Sequence, residues 1–217
     1  LHAHLLLSAP LQTYHELGHS GFQSPPQRFA SLGAFLQFVR LNYIPIFKTI
    51  ECYRKVARDC FAHMIEDGIV YTEISIDSRL TYLIGSSWRE LLQMFGEEIA
   101  RVEGKLKIRP ELGLPRDFPH EAWKDVCDEA LSSGFFKSRD LYGDETLKPA
   151  SDFAYFFEEA RRLSLKIKFH SGETSAPDRM ASEIAFVTPH AIQHGIRSAE
   201  DPQLLKMLAA AQTSINV

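Results

Sequence analysis

Cysteine is scarce in this sequence, and its few positions do not form pairs. The 217 residues contain three cysteines, Cys52, Cys60 and Cys127, and none of them is in CxxC spacing. Three cysteines, an odd number without motif spacing, argue against a disulfide framework of the kind that stabilises secreted domains. We therefore expect free thiols in a reducing compartment and a cytoplasmic protein.

Long apolar runs and an excess of positive charge are missing as well. No segment approaches the roughly 20 apolar residues of a membrane span, and the formal net charge is −4. These absences argue against a membrane or a nucleic acid as a partner. Apolar residues nevertheless make up 45% of the chain. That share is enough for a sizeable core, and we predict a single domain over residues 1–217.

What the sequence does contain is a regular alternation of strand-like and helix-like segments. Residues 8–33, rich in Pro, Gly, Ser and Gln, are predicted to form a long irregular loop. The predicted strands are 1–7, 69–76, 106–114, 135–141, 165–170, 190–194 and 213–217. The predicted helices are 49–67, 87–102, 119–131, 151–163, 177–185 and 201–211. Such alternation indicates parallel strands with helical crossovers.

Two α/β architectures suit this alternation, an open doubly wound sheet and a (β/α)₈ TIM barrel. The open sheet is not supported by a GxGxxG motif or a P-loop, since the sequence has neither. A complete barrel needs about 250 residues. We therefore predict an α/β fold of the (β/α)₈ type that is incomplete in this chain, with strand eight missing, and we expect the natural protein to be longer.

Three histidine motifs stand at the ends of predicted strands. His2 and His4 are two residues apart, a spacing that projects both imidazoles from one face of a strand. His170 ends the apolar run LKIKF, and Gly172 permits a turn that brings Glu173 back over the same edge. His194 ends a further short strand and is followed by a glycine. Each motif alone is weak evidence for a site.

The common placement of these motifs is stronger evidence than any one of them. Parallel strands end at one edge of a sheet, and in barrel enzymes that edge holds the active site. Imidazoles that meet there can bind a metal ion, and a buried carboxyl there can transfer a proton to a substrate. The sequence therefore predicts one shared site at this edge rather than three unrelated histidines, with a metal ion as its candidate ligand.

Four motifs resemble those of the adenosine deaminase family and follow the family's order. LHAHL at residues 1–5 resembles its opening metal motif, and DLYGDE at 140–145 resembles its Gly-Asp-Glu substrate loop. FHSGE at 169–173 resembles its His-x-Gly-Glu motif, and IQHG at 192–195 resembles its His-Gly motif. The motifs extend across nearly the whole chain and are specific when taken together. The H-x-E and PCxxC pattern of cytidine-type zinc deaminases is absent from the sequence.

The resemblance implies a (β/α)₈ barrel that deaminates adenosine or a related 6-aminopurine, a small-molecule substrate. One zinc ion would carry a hydroxide that attacks C6, and ammonia would leave. Glu173 would protonate the ring nitrogen beside the attacked carbon, and His194 would orient and activate the water. The backbone of Gly143 would contact the purine. The zinc ligands implied by the motifs are His2, His4 and His170.

The sequence departs from the family pattern at three places. Leu6 and Leu7 replace the usual Asp-Gly after the first motif, and an apolar side chain cannot accept a hydrogen bond from a sugar hydroxyl. Ala191 and Gln193 replace the usual Arg and Gly around the second histidine motif. The family's last metal ligand, an aspartate after strand eight, is absent from the sequence given. Two alternatives therefore remain: a related enzyme that cleaves another C–N bond, and a barrel that binds a ligand without catalysis.

Overall fold

The computed structural model describes residues 1–118 and 122–217, which form two compact units. The first unit comprises Leu1 and Ala3–Arg109, and the second comprises His2 and Pro110–Val217. The expectation of a single domain over residues 1–217 stays a prediction.

Seven strands lie within the described residues, and their order in the sheet follows their order in the chain. They are β1 (His2–His4), β2 (Tyr71–Asp77), β3 (Lys107–Pro115), β4 (Ser138–Tyr142), β5 (Lys166–Ser171), β6 (Ala191–His194) and β7 (Ser214–Asn216). In the second unit, each of the strands from β3 to β7 pairs in parallel with its neighbour. The predicted parallel arrangement is therefore present.

Nine α-helices alternate with these strands in the part of the chain that the structure describes. They are α1 (Leu11–Gly18), α2 (Leu32–Phe38), α3 (Ile50–Glu66), α4 (Leu80–Ile84), α5 (Trp88–Arg101), α6 (Trp123–Ser132), α7 (Ala154–Arg162), α8 (Pro177–Val187) and α9 (Pro202–Ala210). The predicted capping box of α5 is present, because Ser87 accepts from the Glu90 amide while the Glu90 carboxylate accepts from the Ser87 amide.

The first 33 residues contain more helix and less strand than predicted. The strand ends at His4, and the two leucines that follow it, Leu5 and Leu6, are both buried. A 3-10 turn at Leu5–Leu7 accommodates them. The predicted loop at 8–33 is wrong in part, since α1 forms there and buries Tyr14 against Phe22.

Two further elements differ from the prediction, and one predicted boundary is not described. Ser151 does not cap α7, because a 3-10 turn at Ala150–Phe153 precedes that helix. α4 was not predicted, since its five residues are too few to show a helical period. The predicted start of α6 at Pro119 lies outside the described residues.

Alternation along the strands of the second unit separates a helix-covered face from a polar face. On β4, Arg139 contacts the Phe156 ring of α7, whereas the neighbouring Asp140 projects from the opposite face. On the helix side, α7 buries Phe156 and Phe157 completely, as predicted for the core. The opposite face carries the polar residues that form the site described below. Among the helices described here, none has the length and apolar character needed to cross a membrane.

Candidate functional site

The carboxyl ends of β5 and β6 bring two of the predicted histidines together. His170 is the penultimate residue of β5, and His194 is the last residue of β6. In the parallel pairing, Ser171 is opposite His194, so the two histidines are offset by a single residue. Each side chain therefore projects near the edge of the sheet where α/β barrel enzymes carry their active sites.

His2, Asp140 and His170 form a compact cluster of nitrogen and oxygen atoms. Asp140 Oδ2 lies 3.3 Å from His170 Nε2 and 3.8 Å from His2 Nε2. The ring centroids of His2 and His170 are 5.4 Å apart. Asp140 is fully buried, and the side chains of His2 and His170 are 9% and 8% exposed. The structure thus brings residues 2 and 170 together around a carboxylate from β4.

His4 is the second histidine of β1, two residues after His2. Within the second unit, one nitrogen or oxygen atom from each of His2, Asp140 and His170 lies within 4.8 Å of the corresponding atoms of the others. Zinc binds imidazole nitrogens and carboxylate oxygens, usually with four ligands. This donor set fits a zinc ion. The assignment of His2, His4 and His170 as ligands stays a prediction.

His194 and Glu173, the two predicted catalytic residues, lie beside His170. His194 Nε2 is 3.1 Å from His170 Nδ1 and 3.5 Å from Glu173 Oε2. Their side chains are 34% and 36% exposed, so a small molecule can reach both from solvent. Burial and, next, the neighbouring charge of His170 lower the pKa of His194. The two side chains therefore lie next to the possible ligands, and their catalytic roles stay a prediction.

The backbone at His194 is strained. Its φ is 69°, in the left-handed region that residues other than glycine rarely adopt, and Gly195 follows with a φ of 61°. Such strain costs about 1–3 kcal/mol and is concentrated at functional sites. A hydrogen bond from the Gly195 amide to the Ser171 carbonyl, 2.9 Å long, holds this turn against β5.

Glu145 fixes the turn that carries Glu173. Its carboxylate accepts hydrogen bonds from the amides of four successive residues, with N···O distances of 2.8, 2.9, 3.3 and 3.2 Å, and also from the Ser175 hydroxyl. The four amides belong to Gly172, Glu173, Thr174 and Ser175. Burial raises the pKa of Glu145, but these hydrogen bonds outweigh burial and lower it overall. The sequence motif contained Glu145 without revealing this role.

Gly143 follows β4 directly, at the same strand end as Asp140. Its φ is 98°, which requires glycine. A Cβ at this position would lie 3.5 Å from the backbone nitrogen of Arg116. The contact of Gly143 with a purine stays a prediction.

The loop between β4 and α7 is tied to β5 by a buried ion pair. The Arg116 guanidinium donates to both oxygens of Glu183 on α8, at 3.0 and 2.9 Å. It also donates to the carbonyls of Lys148 and His170, at 2.7 and 3.4 Å. Arg116 is completely buried. The pair therefore holds together the loop after Gly143 and the backbone of His170.

Glu111 on β3 contacts His2 on the ring nitrogen that faces away from Asp140. Its Oε2 lies 2.7 Å from His2 Nδ1, and its Oε1 accepts from the Ser138 hydroxyl and contacts Lys168 Nζ. Burial lowers the pKa of His2, but the hydrogen bond with Glu111, followed by the charge of Asp140, raises it overall.

The sequence motifs gave no role to Asp140, although it is the first residue of DLYGDE, and they did not include Glu111. The available signal was a polar residue at every second position of an otherwise apolar strand, as at Ser138 and Asp140 on β4 and at Lys168 and His170 on β5. Such alternation is usual for a solvent-facing side of a sheet. Only the burial of these four residues shows that the polar side faces the interior.

A parallel α/β sheet with histidines and carboxylates at its strand ends is the arrangement of barrel enzymes with a metal-dependent site. The comparison with known sequences specifies the family. The chain belongs to the adenosine deaminase family, which matches it over residues 20–217. The resemblance inferred from the motifs is thereby confirmed.

Curated relatives carry deaminase names. A putative adenosine/adenine deaminase of Treponema pallidum is 24% identical over 217 residues, which is 100% of this chain and 73% of the relative. An adenine deaminase of Mesorhizobium japonicum is 25% identical over 173 residues, or 76% of this chain and 52% of the relative. The chain thus spans about half the length of the second protein.

Solved structures share the fold at low sequence identity. The adenine deaminase from Arthrobacter aurescens superposes with a TM-score of 0.84 at 19% identity, covering 99% of this chain and 69% of that chain. An amidohydrolase from Burkhoderia ambifaria with bound Zn has a TM-score of 0.82 at 12% identity, covering 99% and 63%. The predicted fold class, an α/β barrel fold incomplete in this chain, is confirmed.

Proposed function

We propose that this chain forms the metal-binding and catalytic part of a zinc-dependent hydrolase that removes the 6-amino group of an adenine-like purine as ammonia. The observation that carries the proposal is the meeting of His2, Asp140 and His170 within ion-binding distance, directly beside the pair formed by His194 and Glu173. The deaminase names of the relatives and the zinc in the Burkhoderia amidohydrolase support it.

Nitrogen and oxygen donors of this chain would hold the ion. The predicted ligands His2, His4 and His170 would supply neutral imidazoles, and Asp140 would supply an anionic oxygen beside His2 and His170. When bound, zinc lowers the pKa of a coordinated water to about 7, which makes a nucleophile available at neutral pH.

Glu173 and His194 would move the protons of the reaction. His194 would orient the attacking water and accept its proton, while Glu173 would donate a proton to the ring nitrogen next to C6. Their separation of 3.5 Å allows both to face one substrate. The Glu145 carboxylate holds the Glu173 backbone in place, so the acid does not have to be ordered when the substrate binds.

The substrate is expected to be a purine without a strong sugar contact. Leu6 and Leu7 lie in the 3-10 turn directly after β1, where the family pattern has Asp-Gly. Leucine cannot accept a hydrogen bond from a ribose hydroxyl, so this position would not favour a nucleoside over the free base. The same substitution motivates the alternative of a related enzyme that cleaves another C–N bond. Ammonia release from adenine, adenosine and AMP, with cyclic amides assayed for ring opening, distinguishes these substrates.

The substitution Glu173→Gln tests the proposal, because it removes the acidic proton and preserves the shape of the side chain. We expect ammonia release to fall by about 10²–10⁴-fold, with the zinc content unchanged. Glu158→Gln, at an exposed glutamate of α7, is the matched control and should retain full activity. Unchanged ammonia release in the Glu173→Gln protein would show that the acid is assigned to the wrong residue.

A further inference from the structure

Glu111 is a buried carboxylate that the proposed reaction does not use. It lies on β3 with no exposed surface. Its two oxygens face different neighbours: Oε2 faces His2 Nδ1 at 2.7 Å, and Oε1 faces the Ser138 hydroxyl at 2.6 Å together with Lys168 Nζ. Both oxygens are therefore fully engaged inside the protein.

A carboxylate at such a depth is costly unless its charge and its lone pairs are satisfied. Lys168 on β5, 4% exposed, supplies the compensating charge. Ser138 on β4 supplies a neutral hydrogen bond to the same oxygen. These two contacts fix the orientation of Glu111 and leave Oε2 directed at His2.

His2 offers its two ring nitrogens to two different partners. Nδ1 faces Glu111, and Nε2 faces Asp140 at 3.8 Å, on the side where the possible ligand atoms meet. An imidazole that donates its Nδ1 proton to a carboxylate carries its lone pair on Nε2, which is the form that binds a metal ion. The carboxylate also restricts rotation of the ring.

We propose that Glu111 is the positioning residue for His2, and that it selects the tautomer with the proton on Nδ1 and aims Nε2 at the zinc ion. Lys168 and Ser138 do not contact the ion in this proposal; they contact Glu111 Oε1 and fix the orientation of the carboxylate. The inference rests on the proposed function, because it assigns a role toward the zinc site of that enzyme. It extends that function by naming the residue that fixes the tautomer and the ring orientation of His2 in the metal-free protein.

The test measures zinc affinity by competition with a chromogenic chelator in wild type, Glu111→Gln and Glu111→Ala proteins. Removal of such a partner of a metal ligand typically weakens metal binding by about 10–100-fold. We expect that loss for Glu111→Ala and a smaller loss for Glu111→Gln, whose amide oxygen can still accept from Nδ1. Glu98→Gln, at another buried glutamate that is paired with arginines in the first unit, is the matched control and should keep wild-type affinity.

A second readout reports the tautomer of His2 without metal. Imidazole nitrogen shifts in metal-free protein labelled with ¹⁵N-histidine, recorded at alkaline pH, should show wild-type His2 protonated on Nδ1. In Glu111→Ala the same ring should show a mixture of the two tautomers. A variant that merely loses stability would lower its unfolding temperature without changing this ratio.

The outcomes separate this inference from the proposed function. Equal zinc affinity of wild type, Glu111→Gln and Glu111→Ala, in a wild-type protein that binds zinc and releases ammonia, overturns the role of Glu111 alone. A wild-type protein that binds no zinc overturns both. If Glu111→Ala does not fold, Glu111→Met decides the question, because methionine fills a similar volume without an oxygen that accepts the Nδ1 proton. A wild-type tautomer ratio and wild-type zinc affinity in that variant contradict the proposal.

Discussion

Among single residues, His194 combines a strained backbone with a position beside a possible metal ligand. Its φ of 69° is stabilised by the turn at Gly195 and by the contact of its ring with His170, whose centroid is 5.0 Å away. A residue without a function at this position would be expected to be glycine or asparagine, which tolerate the left-handed region. Other residues without glycine's freedom also have a positive φ in this structure, namely His19, Ser164, Thr188 and Gln212. It is therefore the strain together with the position beside His170 that favours a chemical role for the imidazole.

The substitution His194→Asn separates this role from stability. Asparagine adopts the left-handed region more readily than most residues, so we expect the unfolding temperature to stay equal or to rise slightly. Without the imidazole, ammonia release should fall by about 10²–10⁴-fold. Steady-state kinetics and thermal unfolding of the same preparation provide both numbers. A protein that keeps its activity would show that another group accepts the proton.

At the scale of elements, α3 and α5 of the first unit are joined by a cluster of charges around Glu98. The buried Glu98 carboxylate on α5 accepts from Arg54 and Arg58 on α3, with its closest contact at 2.9 Å. Burial raises the pKa of Glu98, but the hydrogen bonds from Arg58 and Arg54 outweigh it and lower the pKa overall.

The lowered pKa of Glu98 predicts a pH-dependent contribution to stability. A carboxyl with a lower pKa in the folded state stabilises the protein above the unfolded value of about 4.3, and it loses this effect as the pH falls through its folded value. Glu98→Gln should therefore lower the free energy of unfolding at pH 7 by about 1–3 kcal/mol. Urea unfolding across a pH series should show the difference shrinking toward zero in acid. A constant difference over that range would contradict the assignment.

The type of each long element was predictable from the sequence. The short helices, and which side of each strand faces the interior, were not. The long amphipathic pattern of α3 and the capping box of α5 depend on local signals, and both appear where expected. The helix α1 was missed because its eight residues are interrupted by His15 and Glu16, and tertiary contacts of Tyr14 stabilise it. The roles of Asp140 and Glu111 depend on burial, which strand alternation alone does not show.

For the molecule as a whole, the family match and the fold explain why the histidines of distant segments were expected to meet. The convergence of imidazoles at residues 2 and 170, separated by most of the chain, is the central claim from which the proposed chemistry follows. A bound ion would also link the site to folding, since a ligand that binds only the folded state stabilises it by about 2.7 kcal/mol at 100 times its Kd.

The most direct test is the zinc content of the purified protein, measured by inductively coupled plasma mass spectrometry in wild type, His170→Ala and His63→Ala. His63 lies partly exposed on α3 and is the matched histidine control. We predict close to one zinc ion per chain in wild type and in His63→Ala, and a protein largely free of zinc in His170→Ala. Wild-type protein without zinc, or His170→Ala with a full complement, would contradict the metal centre.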